Sequence, residues 1–160
     1  MRKFLALLLM LAGMVGVNAP AADGSIDAAD AAAMRAVIEA QLAAFEQNDA
    51  ERAFAFASPN IRHSFETPSG FLNMVQQGYP VVYRPQTVRF LPPRLVDDQP
   101  IQVVEMSDRD GMVWMAIYRL QKQPDGTWLI DGCALVPGRD AATDAGPGAG
   151  RTYAGRRHAV

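Results

Sequence analysis

Side chains able to move protons or hold metals are few in this sequence and poorly accompanied. The two histidines are His63 and His158, and the one cysteine is Cys133. His63 lies in "ASPNIRHSFETPSGFLNMVQQGYPVVYRP", residues 57–85, and is the obvious general acid or base, because imidazole titrates near neutrality when unperturbed. Ser64 and Glu66 follow closely, yet a nucleophile and its base must converge in space, which neighbours on a short irregular segment rarely do. An exposed or core-edge histidine is the plainer reading. Asp131, in "LIDGCALV", is the other candidate catalytic base. Strict strand alternation puts Leu129, Asp131, Cys133 and Leu135 on one face, although a strand-end carboxylate in water is the simpler alternative. Cys133 reads as a small buried hydrophobe, since no nearby cation is apparent to hold a thiolate. Cys133, His63 and His158 are too few and too scattered for zinc, and no metal or cofactor is expected. "SDRDG" has some of the look of a calcium loop, but the first ligand position falls on Met106 and no Glu closes it, so it reads as a hairpin turn.

A binding set is easier to assemble than a catalytic one. Tyr79, Tyr83, Arg84 and Arg89 cluster around "GYPVVYRP", where a helix gives way to a sheet. An arginine there could clamp a carboxylate with paired donors while the tyrosine rings cover an apolar body. A rigid Tyr-Pro turn with arginines in solvent is the bland counterpart.

The elements that must position these residues follow from spacing and caps. Asp27 is a good N-cap, and Met34, Val37, Ile38, Leu42 and Phe45 repeat at three- and four-residue intervals on one helical stripe. Asn48 and Glu51 have capping-box spacing for a second helix through "RAFAFAS", which Pro59 stops or redirects. Thr67 followed by Pro68 opens a third, with Phe71, Leu72, Met74 and Val75 on its buried side and Gly78 at its end. From Tyr79 the period falls to two. Strands are predicted at 81–84, 87–91, 101–106, 112–120 and 127–136, with "SDRDG" and "QPDG" turning the last three into an antiparallel meander. Trp114, Met115, Tyr118 and Trp128 read as sheet positions packed on the helices, or as a dimer face if left uncovered. Helices first and a meander second is the α+β pattern.

Composition sets the compartment and excludes some partners. Arg2 and Lys3, an apolar run over 4–17 and small residues at Ala19, Ala21 and Ala22 have the order of a secretory signal, expected over 1–21. The run is short for a bilayer span of roughly 20 residues, so no membrane span is expected after cleavage, and the protein is expected to be periplasmic or secreted. Residues 22–137 form one domain with nine Arg or Lys against fifteen Asp or Glu, a formal charge of −6; residues 138–160, with four Arg against two Asp, read as a disordered Gly/Ala/Arg tail. An acidic body without a basic stripe argues against nucleic acid as a partner. With a single cysteine, no disulfide can form within the chain, and packing alone must hold the core.

Three stretches, "IEAQLAAFEQNDAERAFAFASPNI", "FLNMVQQGYPVVYRP" and "DGMVWMAIYRLQKQPDGTWLIDGCALVP", together resemble a bacterial family of small, often exported domains of unknown function. The most specific parts are "FASP", "GYP" and the W-x-I-x-G-C pattern. The order of elements is also similar to the nuclear-transport-factor-two-like, or ketosteroid-isomerase-like, superfold of the cystatin-like kind. That likeness implies N-terminal helices packed on a curved antiparallel sheet, cone-shaped, with a pocket at the open end. The expected function is a non-catalytic module that binds a small molecule or an envelope protein and is able to form a homodimer. Two alternatives stand beside it: a cofactor-free isomerase- or hydrolase-like enzyme using Asp131 or His63, and an envelope interaction domain.

Overall fold

The structure, a computed structural model, describes residues 25–138. The expected leader lies outside the described residues, as does the expected tail apart from Gly138. Helix α1 (Ala28–Glu46) starts where the sequence says it should: the Asp27 carboxylate accepts from the Asp30 N–H at 2.7 Å, filling one of the donors a helix start leaves unpaired. All five residues of the predicted stripe are buried.

The end of α1 corrects the expected capping box. Asn48 takes a left-handed conformation, φ 55°, which Asn tolerates better than most residues. Its N–H donates to the Phe45 carbonyl, and the Asp49 N–H reaches back to that of Ala44, the two-bond cap that closes many helices. Asn48 thus finishes α1, and Asp49 caps α2 (Ala50–Ala55) by accepting from the Arg52 N–H. Pro59 starts an element that the sequence reading left irregular. Ser58 caps α3 (Pro59–Ser64), and proline at the first helical position forgoes an N–H that needs no partner there. Helix α4 (Pro68–Gly78) follows Thr67 as predicted.

Val81–Arg84 was expected as a strand and is instead the one-turn helix α5 (Pro80–Tyr83). The β-branched pair favours a strand, but Pro80 fixes a helical φ, and both Val82 and Tyr83 donate to the Tyr79 carbonyl. Val81 and Val82 are then buried in the helical layer.

Five antiparallel strands follow among the described residues: β1 (Thr87–Phe90), β2 (Arg94–Val96), β3 (Gln99–Ser107), β4 (Val113–Lys122) and β5 (Trp128–Pro137). The sheet runs β1-β3-β4-β5, and the last three form the predicted meander. Strand β2, which the flanking prolines disguised, shares an edge of β3 with β1: β1 pairs with Val104–Ser107 and β2 with Gln99–Ile101. A two-residue turn makes β2 possible. Asp97 and Asp98 both have positive φ, 50° and 61°, the handedness that matches strand twist in tight hairpins.

Val104, Met106, Ala116, Tyr118, Leu120, Trp128 and Ile130 line the inner face and join the helical stripes in one core. The sheet packs against α1 and is not strongly curled, so the α+β order holds while the expected cone does not form. Pairing shifts by one residue between Arg119 and Leu120, where Asp131 is the extra residue on β5.

Candidate functional site

Between the inner face of the sheet and helices α1, α3, α4 and α5 lies a partly open cavity of ≈ 40 Å³. Its walls are mainly apolar, with Phe45, Phe71, Val75 and Ile130 among them. By the same measure one water needs about 10–15 Å³, so the space suits a few small groups and falls short of a drug-sized ligand. Among the described residues no charged side chain lines it.

Four polar side chains stand in its wall: Gln41, Tyr79, Tyr118 and Cys133. Gln41 Nε2 donates to the Ala53 carbonyl at 3.0 Å, tying α1 to α2. Tyr79, at the junction of α4 and α5, donates its hydroxyl to the Cys133 carbonyl at 3.3 Å and so fastens that junction to β5. Burial pushes the Tyr79 hydroxyl up to about 12, and the Cys133 thiol, where it ionises, opposes ionisation of the hydroxyl further. The Cys133 thiol is likewise pushed up to about 12 by burial, partly offset by the neighbouring Tyr118 hydroxyl. It is neutral and a poor nucleophile in this setting.

Tyr118 differs from the rest. It is 1% exposed, and its hydroxyl has no hydrogen-bond partner among the described residues. Cys133 faces it across the β4–β5 pair, near enough for the two groups to influence each other's ionisation, but a thiol is a weak partner and the pair falls short of hydrogen-bond geometry. Burial holds the Tyr118 hydroxyl protonated, well above its ordinary value. An unmatched buried hydroxyl costs about 1–3 kcal/mol. Sequence reading placed Tyr118 on a packed sheet face and had no means to see this, because a tyrosine's missing partner leaves no trace in spacing.

The structure distributes the sequence candidates widely. His63 is on α3 with an exposed side chain and does not line the cavity. Asp131 sits at the bulge, which overturns the simple alternation expected of β5: Ile130, Cys133 and Leu135 contact the core, and Leu129 does not. Its Oδ1 accepts from Ser58 Oγ at 2.6 Å and from Asn60 Nδ2 at 3.2 Å, so the carboxylate braces the start of α3. Tyr83 and Arg84 follow Val82, a wall residue, on the outside of α5. The Tyr83 hydroxyl donates to Asn48 Oδ1 and accepts from Gln76 Nε2, and the Arg84 guanidinium lies 5.1 Å from the Tyr83 ring centre. Arg89 stands elsewhere. It forms a two-pronged pair with Glu105 on β3, on the face turned away from the core. Of the four proposed ligand contacts, Tyr79 alone is in the cavity wall.

Among the described residues no group of three His, Cys, Asp or Glu side chains could hold a metal ion, and no helix is long and apolar enough to cross a membrane. Comparison with curated proteins gives no match, and comparison with solved structures gives none. One family model, described as Domain of unknown function (DUF4864), matches residues 27–143.

Proposed function

The chain belongs to the DUF4864 family, and from that premise we propose that it is an exported, non-catalytic module whose cavity receives a small molecule. The observation that carries this reading is the apolar cavity between the helices and the sheet, with no charged group in its wall. Neither His63 nor Asp131 lines that space, and the titratable groups that do, Tyr79, Tyr118 and Cys133, are held neutral by burial, which leaves no base poised near neutrality in the wall among the described residues. Export rests on the charge and apolar order of residues 1–21.

Native mass spectrometry of protein purified from the export compartment tests the reading. A small molecule should travel with the chain and be lost in Val75→Phe, which fills the cavity from α4. His63→Ala and Asp131→Ala should keep it. Retention of the same mass in a folded Val75→Phe protein would place the ligand elsewhere and defeat the proposal.

A second reading has an observation of its own. The sheet face opposite the core carries Met115, Ile117, Leu129 and Val136, outside the central cluster, with Val136 39% exposed. Such a face favours a protein partner or a second copy of the chain. Concentration-dependent light scattering separates these outcomes from a solitary chain.

A further inference from the structure

Resting on that binding reading, we propose that the cavity selects a small neutral molecule with a single hydrogen-bond acceptor oxygen, a ketone, aldehyde or ester in class, and that the Tyr118 hydroxyl donates to that oxygen. The polar side chains of the wall differ in how far they are engaged. Gln41 gives one of its two amide hydrogens to Ala53 and is held in place by it, and the Tyr79 hydroxyl is already given to Cys133. The thiol of Cys133 is a weak donor. Tyr118 has the strong donor group with no partner at all among the described residues.

Charge is excluded by the same wall. No cation is present to meet a carboxylate or phosphate, and no carboxylate is present to meet an amine. Burial already opposes ionisation of Tyr79, Tyr118 and Cys133, and a charged ligand would meet the same penalty. Size then restricts the head group. A cavity of ≈ 40 Å³ holds a carbonyl and its first carbons, and because it is partly open a short apolar chain can continue beyond it.

The Tyr118 hydroxyl is shielded from water as well as unpartnered, so the wall must give slightly for an acceptor to reach it. Met74 lines the same space, and a methionine side chain is the most adaptable filler available there. An empty state with an unmatched donor and a bound state with a matched one differ in the direction that favours binding.

The test uses 2-hexanone and its carbonyl-free isostere 2-methyl-1-hexene, titrated by NMR into the wild-type protein and Tyr118→Phe. The ketone should bind about tenfold more weakly to Tyr118→Phe, the value of one hydrogen bond, while the alkene binds both proteins alike. Without ligand, Tyr118→Phe should melt at the same temperature as wild type or higher, because nothing is lost with the hydroxyl. Equal binding of both probes to both proteins would overturn the acceptor selection and leave the pocket standing. Binding of neither probe to either protein would overturn the selection and count against the pocket as well. A Tyr118→Phe protein that melts several degrees lower would show that the hydroxyl already has a partner in the empty state, which also overturns the proposal.

Discussion

Ser58 is fully buried and serves three neighbours at once. Its backbone N–H donates to the Ile130 carbonyl at 2.8 Å, its hydroxyl donates to Asp131, and the same oxygen accepts from the Ile61 N–H at 3.3 Å as the cap of α3. Removing the hydroxyl takes away the cap and leaves a partly buried carboxylate short of a donor. Ser58→Ala should therefore cost about 2 kcal/mol in urea unfolding. Asp131→Ala should be coupled to it by about 1 kcal/mol in a double-mutant cycle, and a coupling indistinguishable from zero would separate the two roles. Asp131 also marks where sequence reading loses its grip at this scale. Alternation places every other residue on one face only while pairing is regular, and nothing in "LIDGCALV" announces the extra residue that turns Asp131 to α3 and keeps Cys133 at the core. Tyr79 was legible as a wall residue because a helix ends beside it. Tyr118 was legible as buried but not as unmatched.

Elements with strong local chemistry were readable, and those decided by competing signals were not. Caps at Asp27 and Thr67 and the stripe from Met34 to Phe45 are local, so α1 and α4 could be drawn from the sequence with their starts correct. At α5 a strand-favouring Val-Val pair competes with Pro80, and proline prevails because its ring fixes the backbone directly. Strand β2 lies between Pro93 and Pro100 and depends on a turn whose residues give only a weak signal. Asp97 and Asp98 hold positive φ without being glycine, a conformation that costs L-residues about 1–2 kcal/mol each and that Asp bears better than most. They also place two like charges side by side. Replacing the pair by Asn-Gly, the preferred residues for this turn, should stabilise the protein by about 1 kcal/mol, read as a higher melting temperature. A lower melting temperature would show that the aspartates are held by contacts that the turn geometry does not require.

At the scale of the whole molecule, the first of the described helices is fastened to the last of the described hairpins. Asp30, in the first turn of α1, accepts from Lys122 Nζ at 2.7 Å and from Trp128 Nε1 at 3.0 Å. These donors hold the Asp30 carboxyl below its ordinary value of 3.8, the Lys122 hydrogen bond being the larger influence and Trp128 the next. A carboxyl depressed on folding stabilises the fold above its unfolded value and loses that contribution as pH falls through its folded one. Asp30→Asn should thus melt lower than wild type at neutral pH, with the gap constant above about pH 5 and closing below 3.8. A gap that persists unchanged at low pH would assign the effect to shape rather than charge. The order of synthesis gives this fastening a further meaning. Helix α1 emerges early with Met34, Val37 and Ile38 unburied, and its principal contact with the sheet is β5, the last strand. A growing chain that ends before Trp128 can pack α1 on α2 and α5 but lacks the strand that joins α1 to the sheet. Formation of the β4–β5 hairpin, rather than of any helix, is therefore the event that gives α1 its seat on the sheet.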